Sequence, residues 1–202
     1  MNAQSSIKRN VTFSEYEPLA IALYVRDTLG LAQLVQLPRL EIHEPNSDDI
    51  SDHELDQLNN EWLLWWTEIV ERSSETFKEV GAPIDYLSFL TNKPALRPLV
   101  IPIVEAAREW HDSSRDADGS FRRPDSPDFL PPLALKLAGS VPKRHLQAAY
   151  ANIAFAVLPL KEKTGWQLGP SLFAVSKSLV RDQAAFKDWF TSALQAGNGS
   201  NH

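Results

Sequence analysis

The chain of 202 residues contains no cysteine, and this absence removes several kinds of chemistry at once. Disulfide bonds, thiol nucleophiles and thiolate metal sites all require a cysteine side chain. Glycine is also scarce, because only eight glycines occur and none cluster as a phosphate-binding loop would need. The sequence contains no G-x-x-x-x-G-K-[ST], G-x-G-x-x-G, G-x-S-x-G or H-E-x-x-H motif. These absences favour a protein that is not an enzyme and that holds no cofactor.

The sequence also lacks a long apolar run. The longest one, residues 19–25, is far too short to span a bilayer. The first ten residues are polar, carry Lys8 and Arg9, and have no apolar segment of the kind that a signal peptide needs. Together with the missing cysteines, this predicts a soluble cytoplasmic protein with no membrane partner.

Positive charge is in deficit, since the formal net charge is −6, and we therefore expect no nucleic-acid partner. The deficit is concentrated in residues 41–70, which hold nine acidic residues and no lysine or arginine. An acidic patch at about 41–68 would complement a basic protein partner. The candidate binding residues are Glu44, Asp48, Asp49 and Asp56. The alternative is an ordinary solvated face.

The strongest structural signal is a helix over residues 51–80. Ser51 is a good N-cap, and Glu54 can complete a capping box with it. Gly81 and Pro83 supply the stop signals. Between these ends, apolar residues recur in steps of three and four, which is the period of one helix face. The residues of this stripe are Leu55, Leu58, Trp62, Trp65, Trp66, Ile69, Val70, Phe77 and Val80.

Three tryptophans on one helix allow two interpretations. Trp62, Trp65 and Trp66 form either a buried core stripe or a stacking platform for a sugar, a nucleobase or a peptide. Leu63 and Leu64 widen the apolar arc, which predicts a helix that is covered on most sides. The core interpretation is therefore favoured.

Three further helices are predicted around this one, over residues 18–29, 99–114 and 182–195. Pro18 is suited to a first helical turn and Gly30 to a helix end, whereas Pro94, Pro98 and Pro102 predict a broken entry to the helix over 99–114. Residues 34–42, around Pro38, are predicted to form an irregular edge strand or extended arm.

The remaining segments complete a single-domain prediction. Residues 1–15 are expected to be loose, 16–196 to form the globular domain and 197–202 to be a disordered tail. A long loop is expected at about 115–132, where prolines are frequent.

The C-terminal third contains short apolar runs at 152–160 and 170–176, separated by turn residues at 161–165. They predict a small antiparallel β-hairpin or short sheet, with residues 133–137 as a third strand. A helix over 145–158 is the competing interpretation, because this segment also has a helical stripe. The predicted fold class is α+β, mostly helical, built around the long central helix and closed by the C-terminal helix.

Two groups of polar residues were weighed as metal or acid–base sites. Residues 114–125 partly match a calcium-loop template, but Arg122, Arg123 and a final aspartate argue against it. Glu105, Glu109 and His111 lie near the end of the third predicted helix, where carboxylates can hold a metal or tune a histidine. A solvated face with Arg108 paired to Glu105 or Asp112 is favoured, so no metal site is predicted.

These observations leave two functions open. The first is a non-enzymatic interaction or accessory module that uses the acidic patch. The second is an enzyme or small-ligand binder with a site between the third helix and the C-terminal hairpin. The candidate ligand-binding residues of that site are Trp110, His111, Arg122 and Trp166.

Overall fold

The structure is a computed structural model that describes residues 10–31, 38–40, 52–76, 84–114, 130–140 and 152–196. The fold is α+β, as the sequence predicts. In chain order the elements are β1 (Asn10–Glu15), α1 (Glu17–Thr28), α2 (Asp52–Thr76), a 3-10 helix (Ser88–Asn92), α3 (Arg97–Ser114), α4 (Leu130–Ser140), β2 (Asn152–Leu158), β3 (Gly165–Gln167), β4 (Leu172–Ser176), α5 (Lys177–Val180) and α6 (Gln183–Ala196).

The strands form a mixed sheet in the order β1-β2-β4-β3. Strands β1 and β4 both run parallel to β2, which lies between them, and β3 pairs antiparallel with β4 at one edge. In this register Phe13 lies opposite Phe155, and Phe155 lies opposite Phe173. A row of aromatic rings therefore crosses the three parallel strands on one face.

Helices cover both faces of the sheet. One face, with Ala154, Ala156 and Leu172, packs against α1, α2, α3 and the 3-10 helix. These four helices together are called the tryptophan layer. The opposite face, with Phe155 and Phe173, packs against α4, α5 and α6, which we call the phenylalanine layer. Burial on both faces explains why β2 and β4 are nearly continuous apolar runs instead of alternating ones.

Helix α2 is the predicted central helix, and its tryptophans are core residues. Trp62 and Trp65 are fully buried, and Trp66 is 5% exposed. The indole Nε1 of Trp62 donates to the Ala22 carbonyl oxygen of α1 at 2.8 Å, and that of Trp65 donates to the Tyr86 carbonyl oxygen at 2.8 Å. These bonds satisfy the polar end of each ring, which makes complete burial tolerable.

One part of the α2 prediction is wrong. Leu63 and Leu64 do not extend the buried arc, because they are 36% and 60% exposed. Both lie on the side of the helix that points away from α1 and the sheet, since Trp62, Trp65 and Trp66 face the core. Within the described part of the chain, the helix is therefore covered on one side only. The predicted cap at Ser51 and the stop at Gly81 lie outside the described residues.

The other helices largely follow the sequence pattern. Pro18 lies in the first turn of α1, and Gly30 follows its last turn with φ 61°, a conformation that favours glycine. Helix α6 closes the described chain with Phe186, Phe190 and Leu194 buried. None of the helices in the described ranges has the length and apolar content that a membrane crossing requires.

Helix α3 begins earlier than predicted. It starts at Arg97 and continues through Pro102, so the expected break at the prolines is absent. Pro102 lies in the second turn of α3, where it leaves the Pro98 carbonyl oxygen without its intrahelical N–H donor, and the helix continues past it. Glu61 of α2 stabilises this start, because its Oε2 accepts hydrogen bonds from the N–H groups of Ala95 and Leu96 at 2.9 and 2.8 Å.

Several strand predictions need correction. The short C-terminal sheet is present, but β2 and β4 pair in parallel, so residues 152–160 and 170–176 do not form a hairpin with each other. The hairpin joins β3 to β4 instead, through a turn in which the Leu168 N–H donates to the Leu172 carbonyl oxygen at 2.9 Å. Residues 152–158 are strand and not helix, whereas 145–151 lie outside the described residues.

Two segments outside this sheet prediction also differ. Asn10–Glu15, expected to be loose, is strand β1 and pairs with β2 along its whole length. Residues 133–137, expected to be a strand, lie in helix α4, which begins at Leu130 inside the expected 115–132 loop. Residues 1–9, 115–129 and the expected tail at 197–202 lie outside the described residues.

The predicted arm around Pro38 is described only at residues 38–40. Leu40 forms an antiparallel bridge with Leu160, and the Lys161 N–H donates to the Arg39 carbonyl oxygen at 3.1 Å. The arm therefore passes close to the chain that leaves β2.

Candidate functional site

Polar side chains converge where β1 ends and α1 begins. Oε1 of Glu15, the last residue of β1, lies 2.6 Å from Nζ of Lys177, the first residue of α5. The two side chains are only 10% and 13% exposed. The Lys177 ammonium also donates to the carbonyl oxygen of Ser114, the last residue of α3. These three residues, which we call the Glu15 junction, tie the two helical layers together at one end of the sheet.

The neighbours of Glu15 in sequence are buried as well. The Tyr16 hydroxyl has its pKa raised by burial, and a hydrogen bond with Ser73 of α2 opposes that shift. The Ser14 hydroxyl oxygen is also buried, and none of the described residues hydrogen-bonds to it. A buried polar atom without a partner is uncommon in folded proteins and draws attention to this end of the sheet.

A second polar network begins at Glu17, the first residue of α1. The Tyr86 hydroxyl donates to Oε1 of Glu17 at 2.8 Å, and Nε of Arg108 donates to the Tyr86 oxygen at 3.3 Å. Burial, followed by the hydrogen bond to Glu17, raises the pKa of Tyr86 to about 12. The Arg108 side chain also pairs with Glu105 at 2.8 Å, which is one of the two partners predicted for it. This network fixes α1, α3 and the segment before the 3-10 helix relative to one another.

The outer side of α2 is the second candidate surface. Asp56, Leu63, Leu64 and Glu71 are all exposed and lie on the side that faces solvent. We call these four residues the acidic face of α2. Helix α2 contains seven acidic residues and one arginine, so its formal charge of −6 equals that of the whole chain.

Not every carboxylate of the predicted acidic patch is available to a partner. Glu61 is occupied by the start of α3, and Oε2 of Glu68 lies 3.0 Å from Nζ of Lys93, whose side chain is 2% exposed. Asp56 and Glu71 differ, because no ion pair or hydrogen bond of their side chains involves another described residue. The charge that remains available therefore flanks the two exposed leucines.

Two helices of the described chain carry large apolar side chains that are exposed. Among the described residues, the large exposed apolar side chains are Leu63, Leu64, Leu99 and Ile101. The last two lie in the first turns of α3, which Glu61 of α2 caps. Scattered single apolar residues are common on protein surfaces, whereas Leu63 and Leu64 are adjacent and form an exposed apolar pair on α2.

The structure describes three of the four predicted ligand-binding residues, Trp110, His111 and Trp166. Trp110 is half-buried, with its ring centroid 5.1 Å from that of Tyr24. The His111 side chain is 7% exposed, and its Nδ1 lies 3.7 Å from Oδ1 of Asp112. Trp166 lies in β3 opposite Ala174 and packs on the tryptophan-layer core, whereas Arg122 lies outside the described residues. His111 does lie one turn before Ser114 on α3, and so on the helix end that reaches the Glu15 junction.

Of the predicted partner-binding residues, Asp56 is exposed on α2, and Glu44, Asp48 and Asp49 lie outside the described residues. Two lysines of the C-terminal third form ion pairs with carboxylates of the chain. Lys177 pairs with Glu15, and Lys163 lies 2.9 Å from Asp182.

The sequence interpretation missed Glu15 and Lys177. A signal for Glu15 was present, because Val11, Phe13 and Glu15 alternate with Thr12 and Ser14 in the period of a strand. No comparable signal exists for its pairing with Lys177. The two residues are far apart in sequence, and only the parallel pairing of β1, β2 and β4 brings the ends of these strands together.

Other groups in the described ranges offer less. No cluster of three or more histidine or carboxylate side chains suited to a metal ion occurs there. A shallow depression at the start of α6 is lined by Arg181, Asp182, Gln183, Ala184 and Lys187. The Asp182 carboxylate caps α6, because the Ala185 N–H donates to its Oδ1 at 3.0 Å. This bond also lowers the pKa of Asp182.

Comparison with known proteins adds no further identification: no protein-family model, curated protein or solved structure matches this chain.

Proposed function

We propose that the protein is a non-enzymatic interaction module that binds a basic protein partner through the acidic face of α2. The supporting observation is the exposure of Leu63 and Leu64 between the carboxylates of Asp56 and Glu71. Exposed apolar area gives an interface its contact energy, and unpaired surface charge of one sign selects partners of the opposite sign.

The buried side of the same helix supports this assignment. Trp62, Trp65 and Trp66 hold α2 against the core, so its outer side is presented on a rigid element. A surface of this kind can bind without a large conformational change.

The test compares wild-type protein with the variant Asp56→Lys/Leu64→Ser/Glu71→Lys. Both are immobilised and exposed to native extract, and each protein retained only by the wild type is purified and titrated against both forms. We expect a basic partner whose binding weakens as salt is added, because surface charge pairs are screened by ions.

A matched control carries the same changes elsewhere on the surface. Glu109→Lys/Ile101→Ser/Glu162→Lys alters two exposed carboxylates and one exposed apolar residue outside the acidic face. This control should retain the partner. The proposal fails if no partner distinguishes the wild type from the first variant, or if both variants lose binding equally.

A second candidate function is favoured by the Glu15 junction. Ligands of open sheets with parallel strands bind outside the carboxyl ends of those strands, where Glu15 and Lys177 lie. The Lys177 ammonium is a group that recognises a carboxylate or phosphate, and in the structure it pairs with the carboxylate of Glu15. This supports a small-anion binder with a site where α3 meets the segment after the C-terminal hairpin.

Thermal unfolding with acetate, malonate or inorganic phosphate tests this second function. A binder would show a rise in melting temperature that depends on anion concentration and is lost in Lys177→Gln and Lys177→Met, which remove the cation. Equal shifts of the melting temperature in the wild type and both variants would show that the anions stabilise the protein nonspecifically. That result would contradict the anion-binding function.

A further inference from the structure

The acidic face of α2 has a regular spacing. Asp56 precedes Leu63 by seven residues, and Glu71 follows Leu64 by seven residues. Seven residues are nearly two helical turns, so each carboxylate lies on the same side as the leucine and about 10 Å from it along the axis. The face is therefore an apolar centre with one negative charge at each end.

This arrangement disfavours a second copy of the same chain as the occupant. A two-fold axis through the leucine pair would place Leu63 against Leu64 of the second copy and Asp56 against its Glu71. Carboxylates would then face carboxylates at both ends, and like charges across an interface oppose association. The same charges attract a partner with cations at both ends.

We propose that the occupant is a basic amphipathic helix that packs along α2. This inference rests on the proposed function and specifies the kind of partner. Its complementary pattern has an apolar centre with a lysine or arginine about seven residues to either side. In this arrangement the partner's apolar residues cover Leu63 and Leu64, and its cations lie near Asp56 and Glu71.

Two synthetic helical peptides of equal composition provide the probe. One places arginines seven residues before and after a central pair of leucines, and the other has the same residues with the arginines moved to the opposite face. Each peptide is titrated into the full-length protein by fluorescence anisotropy at low and moderate salt. We expect the patterned peptide to bind about ten-fold more tightly than the rearranged one.

Two variants sharpen the result. Asp56→Lys/Glu71→Lys should abolish the preference for the patterned peptide and favour a version with glutamates in place of the arginines. Leu63→Ala/Leu64→Ala should weaken binding of the patterned peptide while leaving the far-ultraviolet circular dichroism and melting temperature unchanged, because both side chains are exposed.

The outcomes separate this inference from the proposed function. Equal binding of the two peptides, combined with a partner from native extract that still requires the acidic face, overturns the helical partner and leaves the interaction function standing. Failure of the extract experiment removes both. A dimer in light scattering that dissociates in Leu64→Ser overturns the inference in favour of a second copy.

Discussion

The cores on the two faces of the sheet are held together by different interactions. In the phenylalanine layer, rings pack on rings, and Phe155 has the rings of Phe13, Phe173 and Phe190 at centroid distances of 4.4, 5.4 and 5.1 Å. In the tryptophan layer, directional polar bonds accompany the packing, as in the indole bonds of Trp62 and Trp65.

The tryptophan layer also contains buried ionic contacts. Arg26 and Asp27, both almost fully buried, pair at 2.7 Å, and Asp27 accepts the Leu40 N–H at 2.8 Å. Ring packing depends on contact area and is non-directional, whereas each polar bond fixes one orientation. Directional bonds therefore orient the tryptophan layer, which presents the acidic face of α2, and the phenylalanine layer also contains a bond of this kind, from Trp189 Nε1 to the Gly165 carbonyl oxygen at 2.9 Å.

The largest expected effect is in the phenylalanine layer. Phe155→Ala should lower the free energy of unfolding by about 3–5 kcal/mol, because it leaves a cavity at the centre of the aromatic cluster. Urea denaturation measures this loss. Phe13→Ala, at a partly exposed ring on the edge strand, should cost less. Equal losses at the two positions would mean that Phe155 is not the centre of this layer.

The Glu15 junction, where the layers meet, should be nearly as sensitive. Lys177→Met leaves the Glu15 carboxylate buried without its cation and should cost about 3 kcal/mol. The double variant Glu15→Leu/Lys177→Met should recover part of the loss, because it removes both charges. Chemical denaturation of the three proteins checks this, and a single variant as stable as the wild type would show that the pair is not a structural link.

Smaller losses are expected for the directional bonds of the tryptophan layer. Trp62→Phe removes the donor to the Ala22 carbonyl oxygen and should cost about 1–3 kcal/mol. Trp66→Phe is the matched control, since the Trp66 indole N–H makes no hydrogen bond to a described residue. If the two variants lost the same stability, ring volume alone would account for the effect.

Tyr86 should reveal the polar network through its dependence on pH. Its pKa is raised from 10.0 to about 12, so the unfolded chain releases the phenolic proton before the folded protein does. The stabilisation that the protonated Tyr86 hydroxyl provides is fully present below its pKa in the unfolded chain. It is lost as pH rises through the pKa of Tyr86 in the folded protein. The stability difference between the wild type and Tyr86→Phe should therefore shrink between these two pKa values. Ultraviolet absorbance of tyrosinate checks the titration, and an ordinary pKa would contradict the bond to Glu17.

The smallest effect on stability is expected on the outer side of α2. Leu64→Ser should change the free energy of unfolding by less than about 0.5 kcal/mol, because this side chain is largely exposed. The same variant should weaken binding of a basic partner, whereas Ile101→Ser should not. A large loss of stability in Leu64→Ser would indicate that this leucine belongs to the core.

Much of the helical part of the fold could be predicted from the sequence. The three-and-four spacing of Trp62, Trp65 and Trp66 placed them on one buried stripe, which is confirmed. The same periodicity did not identify Leu63 and Leu64 as exposed, because it marks where apolar residues recur and not how wide the covering surface is. Asp56 was a candidate residue and lies on the acidic face, but its relation to the leucines required the structure.

The sheet was less predictable for a related reason. The apolar run of β2 indicated a strand, yet a run buried on both faces does not specify its neighbours. Its pairing in parallel with β1 and β4 depends on contacts between segments that are distant in sequence. The Glu15 junction follows from that pairing, so it could not be predicted before the strand order was known.

The sequence by itself determined the α+β class, the central helix and its tryptophan stripe, because helix period and the spacing of apolar residues are local properties of the chain. Tertiary structure alone decided the strand order, the pairing of Glu15 with Lys177 and the exposure of the leucines on α2. These features depend on which distant segment occupies each neighbouring position, and local periodicity carries no information about that choice.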